Sequence, residues 1–289
     1  MARAAENSIR SPQPAPTLRS PGVRRSAAHA CRDIVPRLEA DDGQDGENCL
    51  AELVTRFLGV EKRYGASAVL RAVDLKIERG EFLGLAGVNG AGKTTLIKCM
   101  LDFCALDAGR IELFGLPHTE PRARARVAFL PERFVPPYYL TGRDFLRFML
   151  ALQERPYVAD EVQTMLEALD LDPGALAKPV RTYSKGMTQK LGLAACFLGK
   201  RDLYVLDEPT SGLDPKARAC VKALLARLKA EGATLFFTSH ALADVEEICD
   251  RMVVLHQGVP YFSGPPRALC DHYGETSMER AFLRCIAAR

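Results

Sequence analysis

One stretch decides the fold, and it reads Gly87-Val88-Asn89-Gly90-Ala91-Gly92-Lys93-Thr94-Thr95. An apolar, strand-like run at 82–86 precedes it, and a helix-like run begins at Leu96. Glycines let the backbone adopt conformations that a Cβ would strain, so successive N–H groups can turn toward a phosphate. A strand, a glycine-rich loop and a helix in this order therefore predict a phosphate-binding loop.

Two polar residues close this loop. The Lys93 ammonium would reach the β- and γ-phosphates of a nucleotide, and the Thr94 hydroxyl would bind Mg²⁺. The following helix points the positive end of its dipole at the same anion. A glycine-rich turn beside a surface lysine is the simpler interpretation, but strand, loop, lysine, threonines and helix all agree on a nucleotide site.

The composition is that of an ordinary folded domain. The 289 residues are 47% hydrophobic and 26% charged, with a formal net charge of +3. That charge is too small to indicate a nucleic-acid partner, and we expect none. No apolar run approaches the roughly 20 residues of a membrane-spanning helix, so if this protein serves a membrane process, another chain must cross the bilayer. The nine cysteines include no C-x-x-C pair, which predicts free thiols in a reducing compartment.

Residues 1–50 differ from the rest of the chain. Pro, Ser, Ala and Arg dominate as far as Arg32, and acidic residues cluster at 41–47. Without apolar periodicity, the segment is predicted to be a disordered or non-native extension. Its arginine-rich start also resembles an organelle transit peptide, and a third interpretation starts translation near Val54. Residues 51–289 are expected to form the folded domain.

Strand-like and helix-like runs alternate after this extension. Short strands, separated by a polar turn at 61–65, are predicted at 54–60, 68–70 and 73–77. Helical periodicity dominates residues 133–190 and returns at 267–289. Continuous apolar runs, typical of buried parallel strands, occur at 203–206 and 234–238. The alternation predicts an α/β fold with a mostly parallel sheet.

Polar residues follow two of these buried strands. Asp207 and Glu208 end the first, and adjacent carboxylates there are costly to bury unless they meet a metal or take part in chemistry. Asp207 fits a carboxylate that orients Mg²⁺, and Glu208 fits a base that accepts a proton from an attacking water. His240 follows the second strand, at the edge where open α/β sheets bind ligands, and its imidazole would contact the γ-phosphate.

One further polar stretch opens a helix, and it reads Tyr183-Ser184-Lys185-Gly186-Met187. Ser184 is a natural N-cap. Together with the loop at 87–95 and the carboxylates, this order and spacing resemble the nucleotide-binding subunit of an ATP-binding cassette (ABC) transporter. The likeness covers about Val54 to Gly264. It implies a P-loop NTPase-like, mostly parallel core, an antiparallel β subdomain, and a helical subdomain inserted at about 133–190.

The resemblance also implies roles for individual residues. The matched motifs are the Walker A loop (87–95), the signature (183–187), Walker B (203–208), the D-loop (211–214) and the switch histidine (His240). Catalytic roles are implied for Lys93, Glu208 and His240. Nucleotide contacts, including adenine stacking on the Tyr64 ring, are implied for Tyr64, Gly87, Asn89, Gly90, Ala91, Gly92, Lys93, Thr94, Thr95, Ser184 and Gly186. Metal contacts are implied for Thr94, Glu132 and Asp207.

Two departures from the family pattern stand out. Lys185 and Met187 occupy signature positions that are usually Gly and Gln, and Glu132 stands where the family usually has a glutamine. A glutamate still offers an oxygen to Mg²⁺, but it brings a negative charge near the γ-phosphate. Both features resemble a subset of ABC cassettes that energise exporter-type permeases.

The resemblance finally implies partners and a location. It implies ATP and Mg²⁺, hydrolysis to ADP and phosphate, an ATP-sandwich homodimer or pseudo-dimer, and a separately encoded membrane permease. It places the chain in the cytoplasm, peripheral on the inner face of a bacterial inner membrane. The apolar residues at 134–140 would either receive a permease helix or pack in the core. A soluble ABC ATPase of translation or DNA repair and a slow regulatory nucleotide-binding module are the alternatives.

Overall fold

The computed structural model describes residues 52–287, so the predictions for residues 1–50 lie outside the described part of the chain. The strands are β1 (Leu53–Tyr64), β2 (Ser67–Glu78), β3 (Phe82–Ala86), β4 (Ala108–Leu113), β5 (Leu116–Pro117), β6 (Val127–Leu130), β7 (Leu203–Asp207), β8 (Thr234–Ser239), β9 (Arg251–His256) and β10 (Val259–Gly264). The helices are α1 (Lys93–Met100), α2 (Pro121–Arg124), α3 (Gly142–Leu152), α4 (Ala159–Ala168), α5 (Lys185–Leu198), α6 (Pro215–Ala230), α7 (Leu242–Ile248), α8 (Pro266–Tyr273) and α9 (Met278–Ala287).

Two sheets organise the described residues. The larger sheet has the order β10-β9-β3-β8-β7-β6, and its strands are parallel except for β10, which pairs antiparallel with β9. The smaller sheet has the order β2-β1-β4-β5 and is antiparallel throughout. The predicted α/β class, with a mostly parallel core and a separate antiparallel sheet, is confirmed.

The larger sheet is buried on both faces, which explains the continuous apolar runs of its strands. Every residue of β3, β7 and β8 is buried. On one face lie the smaller sheet and α1, where the rings of Phe57 and Phe236 stand 6.4 Å apart. On the other face lies α5, where the rings of Phe197 and Tyr204 stand 5.3 Å apart. A strand covered on both sides has no water-facing side to occupy with polar residues.

The segment between β6 and β7 is helical, as its periodicity predicts. It contains α3, α4, two short 3₁₀ segments at Pro173–Ala177 and Val180–Thr182, and α5. Thr141 caps α3, because its hydroxyl accepts a hydrogen bond from the Asp144 backbone N–H at 3.2 Å. None of the helices between residues 52 and 287 has the length and apolar character needed to cross a bilayer.

Three local predictions are wrong. The turn predicted at 61–65 is mostly strand, because β1 continues to Tyr64, and the two short strands after it are one strand, β2. One side of an antiparallel sheet can face water, so polar residues at the end of one of its strands need not indicate a turn. Between the paired residues Val60–Val73 and Lys62–Leu70, β2 has one residue more than β1. Ala72, whose φ is 47°, lies in this β-bulge. Helix α1 begins at Lys93 rather than Leu96.

Candidate functional site

The loop at 87–95 joins the end of β3 to the start of α1, and its glycines are sterically required. A Cβ at Gly87 would lie 2.5 Å from the Leu255 carbonyl oxygen, well inside van der Waals contact. Gly92, the N-cap of α1, has φ of 110°, where an L side chain is strained. The backbone therefore turns tightly between strand and helix, as the sequence predicts.

This loop has the features of an anion site. No side chain caps the N-terminus of α1. The first N–H groups of the helix and the positive end of its dipole therefore point into the loop. The Lys93 side chain is buried and turns back over the loop, where its Nζ donates a hydrogen bond to the Gly87 carbonyl at 2.7 Å. An ammonium and a helix N-terminus that face one cradle fit the phosphate groups of a nucleotide.

Asp207 and Thr94 meet across the sheet edge. The Thr94 hydroxyl donates to Asp207 Oδ2 at 3.1 Å, and the buried Thr238 hydroxyl donates to Asp207 Oδ1 at 2.5 Å. Among residues 52–287, no group of three or more His, Cys, Asp or Glu side chains could hold a metal ion. A hydroxyl and a single carboxylate fit Mg²⁺ instead, because it usually binds through one or two protein groups together with substrate phosphates.

Glu208 is held in a constrained position beside Asp207. Its φ is 52°, in the left-handed region that non-glycine residues rarely adopt. Its backbone N–H donates to the carbonyl and the hydroxyl of Thr238, at 3.2 and 3.1 Å. Its carboxylate Oε2 lies 2.8 Å from His240 Nδ1. The Glu208 side chain is only 7% exposed, whereas that of His240 is 64% exposed, so the imidazole borders solvent and the carboxylate does not.

The stretch at 183–187 caps α5 and lies beside the loop at 211–214. The Ser184 hydroxyl accepts from the Met187 N–H at 3.2 Å, which makes it the predicted N-cap. The Lys185 stem packs over Gly212, where an added Cβ would lie 2.8 Å from Lys185 Cε. Gly186 borders the same loop, because a Cβ built on it would lie 3.8 Å from the Gly212 carbonyl oxygen.

Tyr64 and Glu132 have separate surroundings, Tyr64 beside the turn after α1 and Glu132 in a groove beside α5. The Tyr64 side chain is about half exposed, and its hydroxyl lies 3.8 Å from Cys104 Sγ. This contact is the main reason that the pKa of Tyr64 is raised, whereas the Thr95 hydroxyl acts in the opposite direction. Glu132 is exposed and lines a groove together with Lys185 and Gln189. It thus lies between β6 and the start of α5.

Sequence reasoning missed several polar residues around the carboxylates. Thr238 orients Asp207, yet it stands inside an apolar run and resembles a core residue. The buried Thr210 hydroxyl donates to Asp244 Oδ2 at 2.9 Å, and Lys222 Nζ lies 3.1 Å from Asp244 Oδ1. The one available signal was position, since Thr238 occupies the carboxyl end of a parallel strand.

Fold and loop together define a P-loop nucleotide-binding domain, and comparison with known proteins specifies its family. A family model described as ABC transporter matches residues 70–211. The chain is 38% identical over 223 residues to the Nod factor export ATP-binding protein I of Burkholderia orbicola, and the match covers 74% of this chain and 72% of that protein. The chain belongs to the family of ABC transporter ATP-binding proteins.

Other similar proteins agree with this family. An uncharacterised ABC transporter ATP-binding protein of Nostoc sp. is 42% identical over 202 residues, which cover 68% of this chain and 59% of that relative. A solved ATP-binding subunit of an ABC transporter superposes with a TM-score of 0.73 at 29% identity, covering 80% of this chain and 99% of that one. CbiO1 of Clostridium perfringens, at 21% identity and a TM-score of 0.65, shares the fold.

Proposed function

We propose that the chain binds and hydrolyses ATP to drive transport through a separately encoded membrane permease. The observation that carries the proposal is the convergence of Thr94, Asp207 and Glu208 at one edge of the larger sheet, beside the phosphate-binding loop. Ligands of open α/β sheets bind at the carboxyl ends of the strands, and this edge supplies a cation, a metal-binding pair and a carboxylate base.

Each residue of this edge has one task in the reaction. The Lys93 ammonium and the N–H groups at the start of α1 neutralise charge on the β- and γ-phosphates. The Glu208 carboxylate accepts the proton of a water that attacks the γ-phosphorus, while the bond to the bridging oxygen breaks and ADP leaves. The exposed His240 imidazole, whose Nδ1 lies 2.8 Å from Glu208 Oε2, contacts the γ-phosphate and holds the water in line. Thr94 and Asp207 would hold Mg²⁺, which supplies positive charge to the phosphates when bound.

A second nucleotide-binding chain would complete the site. Ser184 and Gly186 lie beside the loop at 211–214, at the N-terminus of α5, where backbone N–H groups favour an anion. We infer that they contact the γ-phosphate held by another copy, or by a similar cassette, in an ATP-sandwich dimer. Tyr64 would stack on the adenine of its own chain's ATP. Residues 51–289 would then act as one ATPase domain with the helical subdomain at about 133–190.

An apolar surface beside the signature fits a helix of the permease. Val135, Tyr138 and Tyr139 are each about 70% exposed. Val135 and Tyr138 line a groove of about 570 Å³ together with Glu132 and Lys185, and the Tyr139 ring packs edge-on against the Tyr138 ring at 5.7 Å. Large exposed apolar patches usually mark a partner surface, and an amphipathic helix binds such a groove through its apolar face. The groove thus lies next to Glu132 and the stretch at 183–187, which are proposed to lie near a γ-phosphate. Movement of the permease helix in this groove would therefore be coupled to hydrolysis.

The docking proposal predicts the behaviour of a surface variant. We expect Tyr139→Asp to reduce association of the chain with native membranes about tenfold, because burying a new charge at an interface costs at least about 1.4 kcal/mol. The purified variant should keep its ATPase activity. The matched control is Leu283→Asp, which alters another exposed apolar residue, on α9. Membrane association measured by sedimentation should be unchanged for the control, and equal loss in both variants would contradict the assignment.

Glu132 gives a second prediction, on metal dependence. Glu132→Gln removes a negative charge near the γ-phosphate but keeps an oxygen, so we expect ATP affinity to rise by less than about fivefold, as an exposed charge allows. Glu132→Ala removes the oxygen, and its half-maximal Mg²⁺ concentration should rise about tenfold. Measuring the ATPase rate as a function of Mg²⁺ concentration distinguishes the variants. Three superimposable curves would place Glu132 outside the metal shell.

A further inference from the structure

Two thiols touch at the end of α1, under the proposed adenine-stacking tyrosine. Cys99 is fully buried in α1, and Cys104 is partly exposed in the turn that follows it. Their Sγ atoms lie 3.4 Å apart. Cys104 Sγ also lies 3.8 Å from the Tyr64 hydroxyl. Nothing in the proposed hydrolysis uses this dithiol, yet it is directly connected to a residue proposed to hold the nucleotide.

We propose that Cys99 and Cys104 form an oxidation site, in which a hydroperoxide converts the dithiol to a disulfide and thereby weakens ATP binding through Tyr64. The inference rests on the proposed role of Tyr64 in stacking on adenine. The oxidised and reduced chains would then differ in nucleotide affinity while sharing the same phosphate-binding loop and carboxylates.

The chemistry begins at the thiol that solvent can reach. The Cys104 thiolate attacks a peroxide oxygen, the O–O bond breaks, and the other oxygen leaves as water or an alcohol after taking up a proton. As the Cys99 thiol gives its proton to the sulfenic oxygen, its Sγ attacks the sulfenic sulfur of Cys104, and the S–O bond breaks. The hydroxide leaves as water with the Cys99 proton. The two thiols lose two electrons in total, and the peroxide gains them.

The surroundings suit this order of events. Burial raises the pKa of the Cys99 thiol to about 12, although the nearby Lys62 ammonium acts in the opposite direction. Cys99 therefore stays protonated at neutral pH and cannot react first with a peroxide, which requires a thiolate. Its position against Cys104 lets it resolve the sulfenic acid before further oxidation.

Disulfide formation would disturb Tyr64 by two routes. The two sulfurs must close from 3.4 Å to a bond of about 2.05 Å, and this closure displaces the Cys104 Sγ that accepts a hydrogen bond from the Tyr64 hydroxyl. The turn also holds Lys62, whose Nζ donates to the Ala105 carbonyl at 2.7 Å and lies 5.4 Å from the centre of the Tyr64 ring. Because the buried Cys99 is fixed in its helix, we expect the turn to move and the ring to lose its support.

The test measures the bond and the affinity in the same samples of the full chain. Treatment with hydrogen peroxide should join the Cys99 and Cys104 peptides in a mass spectrum and lower ATP affinity about two- to fivefold, within the contribution of one hydrogen bond. Dithiothreitol should restore both. Cys104→Ser and, separately, Cys99→Ala should lose the peroxide response. Cys220→Ser with Cys270→Ser is the matched control, because these partly exposed thiols lie on α6 and α8; it should respond like wild type.

Each remaining outcome overturns a defined part of the proposal. Absence of the Cys99–Cys104 peptide pair after peroxide would exclude the oxidation site. A complete disulfide with unchanged ATP affinity would exclude its effect on the nucleotide. Tyr64→Ala separates these failures from failure of the proposed nucleotide contact. If that variant binds ATP as tightly as wild type, Tyr64 does not hold the nucleotide, whether or not the disulfide forms.

Discussion

Replacing Glu208 by glutamine is expected to lower the ATP turnover rate at least about 100-fold while leaving ATP affinity nearly unchanged. A positioned general base contributes about 10²- to 10⁴-fold to a rate. The amide keeps the size of the side chain but cannot accept the proton of the attacking water. Glu208 is buried, and its carboxylate contacts His240 Nδ1 at 2.8 Å, so the rest of the site should keep its geometry.

The variant should also reveal the proposed sandwich. With hydrolysis blocked, ATP should hold two nucleotide-binding chains together, which light scattering would detect as a dimer with ATP but not with ADP. The matched control is Glu246→Gln, an exposed glutamate on α7, which should hydrolyse ATP at the wild-type rate. Wild-type turnover by Glu208→Gln would remove this carboxylate from the reaction.

Replacing Lys93 by alanine should weaken ATP binding about 100-fold. A hydrogen bond to a charged group contributes up to about 3 kcal/mol, which corresponds to roughly two powers of ten in affinity. Lys93 is buried at the first turn of α1 and already turns into the loop, where it donates to the Gly87 carbonyl. Its ammonium therefore already lies at the proposed phosphate-binding loop.

A neighbouring lysine provides the control for this loss. Lys98 is exposed on the same helix, so Lys98→Ala removes a positive charge without reaching the loop and should bind ATP normally. Thermal melting of both variants would show that the fold is intact. Equal ATP affinity of Lys93→Ala and wild type in a titration would contradict the assignment of the loop at 87–95.

The parts of the fold that were predictable are those with local signals. The loop at 87–95 carries its own glycines, lysine and flanking periodicities, so its strand–loop–helix context follows from nine adjacent residues. Asp207 is far from this loop in sequence, yet it meets Thr94 because parallel strands bring their carboxyl ends to the same edge. The rule that ligands bind at the carboxyl ends of parallel strands was therefore enough to bring these two residues together.

The parts that were not predictable depend on contacts between distant residues. Thr238 resembles any buried strand residue until the pairing of β7 with β8 brings its hydroxyl to Asp207. The approach of Cys104 to Tyr64 requires the path of the turn after α1. Glu61 looks like part of a turn, and only pairing with Ala108 in the smaller sheet makes it strand. Composition and periodicity contain none of these pairings.

The central claim is that the loop at 87–95 holds ATP, and calorimetric titration of the purified wild-type chain with Mg²⁺ and ATP tests it most directly. We predict saturable binding of one ATP per chain, competition by ADP, and loss of this binding in Lys93→Ala. A folded wild-type chain that binds no ATP, or that binds it equally well without the Lys93 ammonium, would contradict the claim.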